Sequence, residues 1–173
     1  GVSAHRSAAA GTCVSGTPVY QTPSNFSLGS MGGYFTYQEM IANLDSMASK
    51  FPNLITVKQA IPFGTAIEGQ PVYYVKISDN ANVYETEPEV LYSAVHHARE
   101  PGGMSQLIFY MWYLLENYNN DAKISGLVNG TEMFFLTCLN PDGYQYNELT
   151  DPSGGGMWRK NRRDNLDGTF GID

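Results

Sequence analysis

Val90-Leu-Tyr-Ser-Ala-Val-His-His-Ala-Arg-Glu-Pro101 is the stretch of this 173-residue chain that decides its fold. The nearly continuous apolar run from Glu89 to Val95 predicts a strand covered on both faces, and Pro101 suits the first turn of a following helix. His97 and Glu100 are three residues apart, at the junction between this predicted strand and the following helix. One tight turn can therefore direct an imidazole and a carboxylate, both typical zinc ligands, to a common point.

The spacing of these two residues alone also fits a purely structural role. Glu100 would then cap the helix, where the helix dipole favours an ionised carboxylate, and His97 would be a buried, hydrogen-bonded histidine. His96 should point away from His97 because successive side chains on a strand alternate, so we interpret it either as structural or as a residue that supports the metal ligands from behind. The remaining histidine, His5, lies in the opening segment.

The rest of the chain predicts an α/β domain in which strands alternate with helices. Residues 1–33 are rich in Gly, Ser, Thr, Ala and Pro and predict a flexible tail or linker. From Tyr34 onward, a capping box at Thr36 and Glu39 begins a helix that Pro52 ends. Apolar patterning then predicts strands at Ile55 to Ile61, Pro71 to Ile77 and Thr131 to Leu139, a helix at Met104 to Tyr118 and a short helix at Asp121 to Val128.

Composition excludes some classes of protein. Apolar residues make up 42% of the chain and charged residues 16%, as in a folded globular protein, and the net charge of −7 argues against nucleic-acid binding. No apolar run is long enough for a membrane span. Cys13 and Cys138 are the only cysteines, and we expect free thiols, with Cys138 as a small core residue. Few lysines and many Tyr and Gly residues favour an extracellular location.

Two further motifs follow the last predicted strand. As a local pattern, Asn140-Pro-Asp-Gly-Tyr144 predicts a turn. Trp158-Arg-Lys-Asn-Arg-Arg163 places four of the ten basic residues within five positions. This basic cluster is either a solvated loop or a site for an anionic substrate or a developing oxyanion.

Together, and in this order, His97-Ala-Arg-Glu100, Asn140-Pro-Asp-Gly-Tyr144 and Trp158-Arg-Lys-Asn-Arg162 resemble the carboxypeptidase A type zinc metallocarboxypeptidases. The resemblance extends over residues 34–173, which would form the N-terminal part of the catalytic domain. It implies a three-layer α/β sandwich in which a mixed β-sheet lies between helices. It also implies Zn²⁺ as cofactor and hydrolysis of the C-terminal peptide bond of peptides or proteins.

The resemblance assigns roles to five residues. His97 and Glu100 match the first two zinc ligands. Arg159 matches the arginine that polarises the scissile carbonyl and stabilises the oxyanion, and Arg99 matches an arginine that lines a substrate subsite. Asp173 matches the aspartate that holds the first histidine ligand, a contact that fixes the imidazole tautomer.

The family pattern also requires a third zinc ligand, residues that bind the terminal carboxylate of the substrate, and a glutamate as general base. None of the residues here matches them, so we expect this chain alone to be inactive and to need the C-terminal half of the domain for a complete site. Two other functions stay open. One is a catalytically silent peptide-binding module with the same fold, and the other is a zinc amidohydrolase that acts on acylated amino acids.

Overall fold

The computed structural model describes residues 20–173, and the first nineteen residues of the predicted tail lie outside this range, with Cys13 among them. Helical and strand patterns alternate in the sequence, and the described part of the chain contains four helices and four strands. They are α1 (Tyr37–Lys50), β1 (Gln59–Ala60), β2 (Tyr73–Ile77), β3 (Glu89–Ser93), α2 (Pro101–Asn117), α3 (Ala122–Val128), β4 (Glu132–Leu136) and α4 (Pro141–Thr150).

The strands form one mixed sheet in the order β1-β2-β4-β3. β1 pairs with β2, and β2 with β4, in antiparallel fashion, whereas β3 and β4 run parallel. A parallel pair needs a long crossover, and α2 and α3 supply it between β3 and β4. The predicted α/β class and mixed sheet are confirmed, and the first two predicted strands pair with each other, although β1 is shorter than expected.

The hydrophobic core lies on one face of this sheet. Val75, Ile77, Met133 and Phe135 are fully buried there, because alternate residues of β2 and β4 point to the same side. All four helices contribute side chains to the same core cluster. The predicted capping box is confirmed at the start of α1, where the Thr36 side chain accepts from the Glu39 N–H and Glu39 accepts from the Thr36 N–H.

The prediction that β3 is covered on both faces is wrong for the described part of the chain. β3 is one of the two edge strands of the sheet, and Leu91 is 62% exposed. Leu91 pairs with Phe134 on the face opposite the core, where it lines an open groove together with Val90 and Leu136. An apolar sequence run therefore does not reveal on its own whether a strand is central or at the edge.

The structure also contradicts two predictions made from the sequence. Residues 20–33, which were predicted to be part of a tail, pack on the domain: Met31 is buried in the core, and the Ser24 and Asn25 N–H groups donate to the Glu116 carboxylate. Asn140 to Tyr144, predicted as a turn, instead form the N-cap and first turn of α4. Among the described residues, no helix is both long enough and apolar enough to cross a membrane.

Candidate metal centre

The turn between β3 and α2 brings the two predicted metal ligands together. The Glu100 N–H donates to the His97 carbonyl at 3.1 Å, which closes the turn. Just before it, Val95 has a φ of 53°, a left-handed conformation that is strained for a β-branched residue. The strain therefore lies at the point where the chain leaves the sheet and redirects its side chains.

His97 and Glu100 are in direct contact. His97 Nδ1 lies 2.9 Å from Glu100 Oε1 and 3.0 Å from Oε2. Glu100 is the N-cap residue of α2, yet its side chain makes no capping hydrogen bond, so the purely structural interpretation of this carboxylate is not supported. The two side chains are 35% and 57% exposed, which leaves them accessible to an ion from solvent.

Arg159 reaches the same point from a distant part of the chain. Its Nη2 lies 2.8 Å from His97 Nε2, and its Nη1 forms an ion pair with the Asp173 carboxylate. The Ala98 N–H donates to the Arg159 carbonyl at 2.9 Å, so the backbones of the two segments are also joined. Asp173 thus contacts Arg159 in this structure, whereas the sequence resemblance predicts a contact with His97.

His97, Arg159 and Asp173 border an open cleft of about 290 Å³. The buried Asp142 carboxyl on α4 takes part in the lining. Its Oδ2 accepts from the Glu68 N–H at 2.6 Å, and its Oδ1 has no hydrogen-bond partner among the described residues. Polar groups that converge in a concave site are typical of ligand pockets. The other lining residues are Ala66, Ile67, His96, His97, Leu139, Asn140, Arg159, Lys160, Asn161, Ile172 and Asp173.

Two buried asparagines on or beside α4 hold the segment that carries Arg159. Asn147 donates to the carbonyls of Ala98 (3.0 Å) and Trp158 (2.8 Å) and accepts from the Trp158 N–H (2.9 Å). Asn140 donates to the Lys160 carbonyl at 3.0 Å. Neither role was predicted from the sequence, although the position of Asn140 directly after a predicted strand was a usable signal.

Close packing explains the glycine of the Asn140-Pro-Asp-Gly-Tyr144 motif. A Cβ atom at Gly143 would lie 2.6 Å from the Lys160 carbonyl oxygen and 2.8 Å from the Ala98 methyl group. Only a residue without a side chain lets α4 approach the Arg159 segment this closely. The same motif thus begins α4 and sets the distance between this helix and the Arg159 segment, both of which line the site.

Arg162 anchors the other side of this segment. Its guanidinium lies 3.9 Å from the centre of the Tyr146 ring, 4.7 Å from that of Trp158 and 5.1 Å from that of Phe170. It also pairs with Glu68 at 3.2 Å. The basic cluster is therefore not a uniform solvated loop, because Arg162 is packed among aromatic rings while Arg159 faces the cleft.

Arg99 and His96 lie apart from the contact between His97, Glu100 and Arg159. Arg99 is exposed and lines a separate small pocket of about 20 Å³, where Met31 and Tyr144 also lie. His96 is exposed, and its Nε2 lies 3.3 Å from Ser93 Oγ at one margin of the cleft. The predicted substrate contact of Arg99 stays a prediction.

The donor set fits a small divalent ion. Zinc binds imidazole nitrogen at about 2.0–2.1 Å and carboxylate oxygen at about 2.0–2.2 Å, so donor atoms that lie about 3 Å apart can share one ion. His97 Nδ1 and the Glu100 oxygens have this separation. An imidazole and a carboxylate beside an arginine make this end of the sheet a candidate metal centre in an α/β domain.

Comparison with known proteins assigns the family. A family model described as "Zinc carboxypeptidase" matches residues 40–173. A zinc carboxypeptidase from Saccharothrix mutabilis subsp. capreolus is 32% identical over 133 residues, which are 77% of this chain and 30% of that protein. The chain belongs to the zinc carboxypeptidase family, and it spans about 30% of the length of this curated relative.

Solved structures agree with this fold. Carboxypeptidase A from Helicoverpa armigera superposes with a TM-score of 0.63 at 26% identity, over 79% of this chain and 31% of that one. Thrombin activatable fibrinolysis inhibitor gives a TM-score of 0.70 at 22% identity, over 82% of this chain and 33% of that one. The described sheet and helices therefore form a metallocarboxypeptidase fold.

Proposed function

We propose that the protein is a zinc-dependent carboxypeptidase that removes the C-terminal residue from peptides or proteins. The observation that supports this most directly is the contact of His97 Nδ1 with both Glu100 oxygens beside the Arg159 guanidinium. His97 and Glu100 would hold the ion. When bound, zinc would polarise the scissile carbonyl and lower the pKa of a bound water molecule.

The hydrogen bonds of His97 give Asp173 a role in this proposal. In the structure, Nε2 faces the Arg159 guanidinium, which can only donate, so the neutral imidazole carries its proton on Nδ1. A metal at Nδ1 requires the other tautomer, with the proton on Nε2, and that N–H needs an acceptor. Asp173, already paired with Arg159, is the nearby carboxylate that can accept it.

We assign Arg159 to the reaction itself. Once His97 Nε2 bears a proton, Arg159 is released from this contact and can donate to the scissile carbonyl oxygen. A guanidinium that is positioned in advance stabilises the negative charge that develops on this oxygen during attack by water. The hydrogen bonds from Asn147 and Asn140 hold the Arg159 segment in place before the substrate binds.

The same proposal includes a substrate contact for Arg99 and an origin for the remaining residues of the site. Arg99 would contact the peptide chain further from its C-terminus. A longer polypeptide would supply the third zinc ligand, the grip on the terminal carboxylate and the general base, and the chain alone would be inactive. We also propose an extracellular location, which the composition favours.

A release assay tests the proposal. The full-length gene product is loaded with zinc and incubated with a peptide that has a free C-terminus, with the same peptide amidated at its C-terminus, and with an N-acetylated amino acid. We expect release of the C-terminal residue from the free peptide alone, loss of release after chelation, and recovery when zinc is added.

Matched variants locate the activity. His97→Ala and Glu100→Gln should lose both bound zinc and peptide release, whereas Asp45→Asn, which removes a charge from an exposed ion pair with Lys58, should lose neither. Zinc binding without release would favour the silent peptide-binding module. Release of the acyl group from the acetylated amino acid alone would favour the amidohydrolase.

A further inference from the structure

A second group of carboxylates lies at the opposite end of β3 from His97 and Glu100. Asp79, Glu85 and Glu87 belong to the connection between β2 and β3, and one carboxylate oxygen of each lies within 4.8 Å of the others. Glu132, the first residue of β4, pairs with Glu89 at the start of β3 and so lies at the same end of the sheet. None of these residues takes part in the proposed hydrolysis.

Glu132 distinguishes this cluster from an ordinary solvated acidic patch. Its side chain is fully buried, and its Oε1 accepts from the Glu85 N–H at 3.1 Å and from Lys76 Nζ at 2.6 Å. Its Oε2, on the same carboxyl group, is shielded from solvent and has no hydrogen-bond partner within residues 20–173. Lys76 and the Glu85 N–H compensate the burial of Oε1, whereas Oε2 is a buried acceptor that lacks a donor among the described residues.

The loop carboxylates have the same deficit. Glu85 Oε2 and Glu87 Oε2 are also shielded from solvent, and neither has a hydrogen-bond partner in the part of the chain that the structure describes. Lys76 is the one cation in contact with the group among the described residues, and its Nζ is already shared between Glu132 and the Val83 carbonyl.

We propose that Asp79, Glu85, Glu87 and Glu132 bind a calcium ion that ties the connection between β2 and β3 to the start of β4. Calcium takes six to eight oxygen ligands at about 2.3–2.6 Å, so ligand atoms on opposite sides of one ion lie roughly 4.6–5.2 Å apart. The oxygens of Asp79, Glu85 and Glu87 fall within that span. Magnesium, at about 2.0–2.1 Å in a strict octahedron, requires a tighter cage.

The charges favour a divalent ion. Four carboxylates and one ammonium group give the cluster a charge of about −3, which a divalent ion reduces to about −1. The orphaned Oε2 atoms of Glu85, Glu87 and Glu132 gain a partner in the same step. Because the ion would bind the folded protein and not the unfolded chain, it would also stabilise this end of the sheet.

Calorimetric titration of the zinc-loaded, full-length protein tests the site. With the His97 site filled by zinc, added Ca²⁺ should bind saturably with a dissociation constant of about 10⁻³ M or below, the range of extracellular calcium modules, and Mg²⁺ at least tenfold more weakly. The thermal unfolding midpoint should rise with Ca²⁺ concentration. Absence of saturable Ca²⁺ binding, or equal binding of the two ions, would overturn the proposal.

Variants assign the binding to these residues. Glu87→Gln and Asp79→Asn should each weaken Ca²⁺ binding at least tenfold and abolish the rise of the unfolding midpoint, while Asp45→Asn, the same loss of charge at a distant ion pair, should leave both unchanged. Circular dichroism verifies that each variant is folded. Unchanged Ca²⁺ affinity in folded Glu87→Gln and Asp79→Asn would contradict the site, and because zinc content and peptide release are measured separately, failure here leaves the proposed hydrolysis untouched.

Discussion

At the scale of single residues, Arg159 connects the geometry of the site to its proposed chemistry. Replacement by Lys keeps the charge but removes the planar pair of donors that contacts both His97 and Asp173. Because one lost oxyanion donor typically lowers kcat about 10²–10³-fold, we expect Arg159→Lys to lower kcat by about that factor, with zinc content unchanged. Arg163→Lys, at an exposed position of the same basic cluster, is the control. Unaltered kcat for Arg159→Lys in the steady-state release assay would remove Arg159 from the reaction.

Cys138 is a residue for which burial decides reactivity. It is a buried core residue, as the sequence predicted, and it forms no disulfide within residues 20–173; burial together with the negative charge of Glu148 raises the pKa of its thiol far above the ordinary value. Since the thiolate is the reactive form, we expect no alkylation of Cys138 by iodoacetamide at pH 8 in the folded protein and complete alkylation in urea. A Cys13→Ser background restricts the mass-spectrometric signal to this residue. Rapid labelling without urea would mean that the core opens at this strand end.

At the scale of secondary structure, the sequence predicts the elements with strong local signals. α1 has a capping box and a helical apolar period, and both predict it correctly. α4 has neither: residues buried on it include Asp142, Gly143 and Asn147, whose partners are backbone groups from distant segments. The contact of His97 with Glu100 was likewise predictable from spacing, whereas the pairing of Asp173 with Arg159 depends on long-range folding that no local pattern encodes.

Asn147 links α4 to the two segments that contain Ala98 and Trp158. Asn147→Asp keeps an acceptor for the Trp158 N–H but removes the donor to the Ala98 and Trp158 carbonyls and places an oxygen against them. A buried acceptor left without a partner costs about 1–3 kcal/mol, so we expect a loss of at least about 2 kcal/mol in the free energy of unfolding, measured by urea denaturation. Asn53→Asp, at an exposed turn position, should change it by less than about 0.5 kcal/mol. Equal effects of the two substitutions would show that Asn147 is not a structural link.

The packing of α4 against α1 makes stability depend on pH through Glu148. Burial and the charge of Glu39 raise the pKa of Glu148 above its ordinary value, although the Tyr37 N–H at the start of α1 donates to it. The folded state therefore holds this proton more tightly than the unfolded state, and its contribution to stability decreases as pH rises from about 4.5 through the folded pKa. We expect Glu148→Gln, which keeps the acceptor, to increase the free energy of unfolding at pH 7 and to reduce its decrease between about pH 4.5 and 7. Urea denaturation across this range measures both, and a destabilised variant at pH 7 would contradict this assignment.

At the scale of the whole molecule, one sheet organises two chemically different ends. The strand β3 ends at the turn that carries His97 and Glu100 and begins beside Asp79, Glu85, Glu87 and Glu132. A catalytic centre at one end needs open coordination positions, whereas the carboxylates at the other end surround shielded oxygens. The metal sites that we propose at the two ends therefore differ in purpose, one reactive and one structural.

The open face of the same sheet leads to a prediction about association. Leu91 is 62% exposed and lines an apolar groove with Val90, Phe134 and Leu136 along the edge strand, and such edges pair readily with other chains. We expect a polypeptide of these 173 residues to self-associate, and the associated fraction to rise with ionic strength because salt screens the repulsion between copies with a net charge of −7.

Leu91→Lys places a charge in the groove and should shift the protein to monomer in sedimentation velocity, whereas Leu149→Lys, at an 81% exposed position of α4, should not. A monomeric parent chain at every salt concentration would show that the exposed edge is protected by its own twist or by neighbouring charges. Association that persists in Leu91→Lys and disappears in Leu149→Lys would place the contact on the helical side instead.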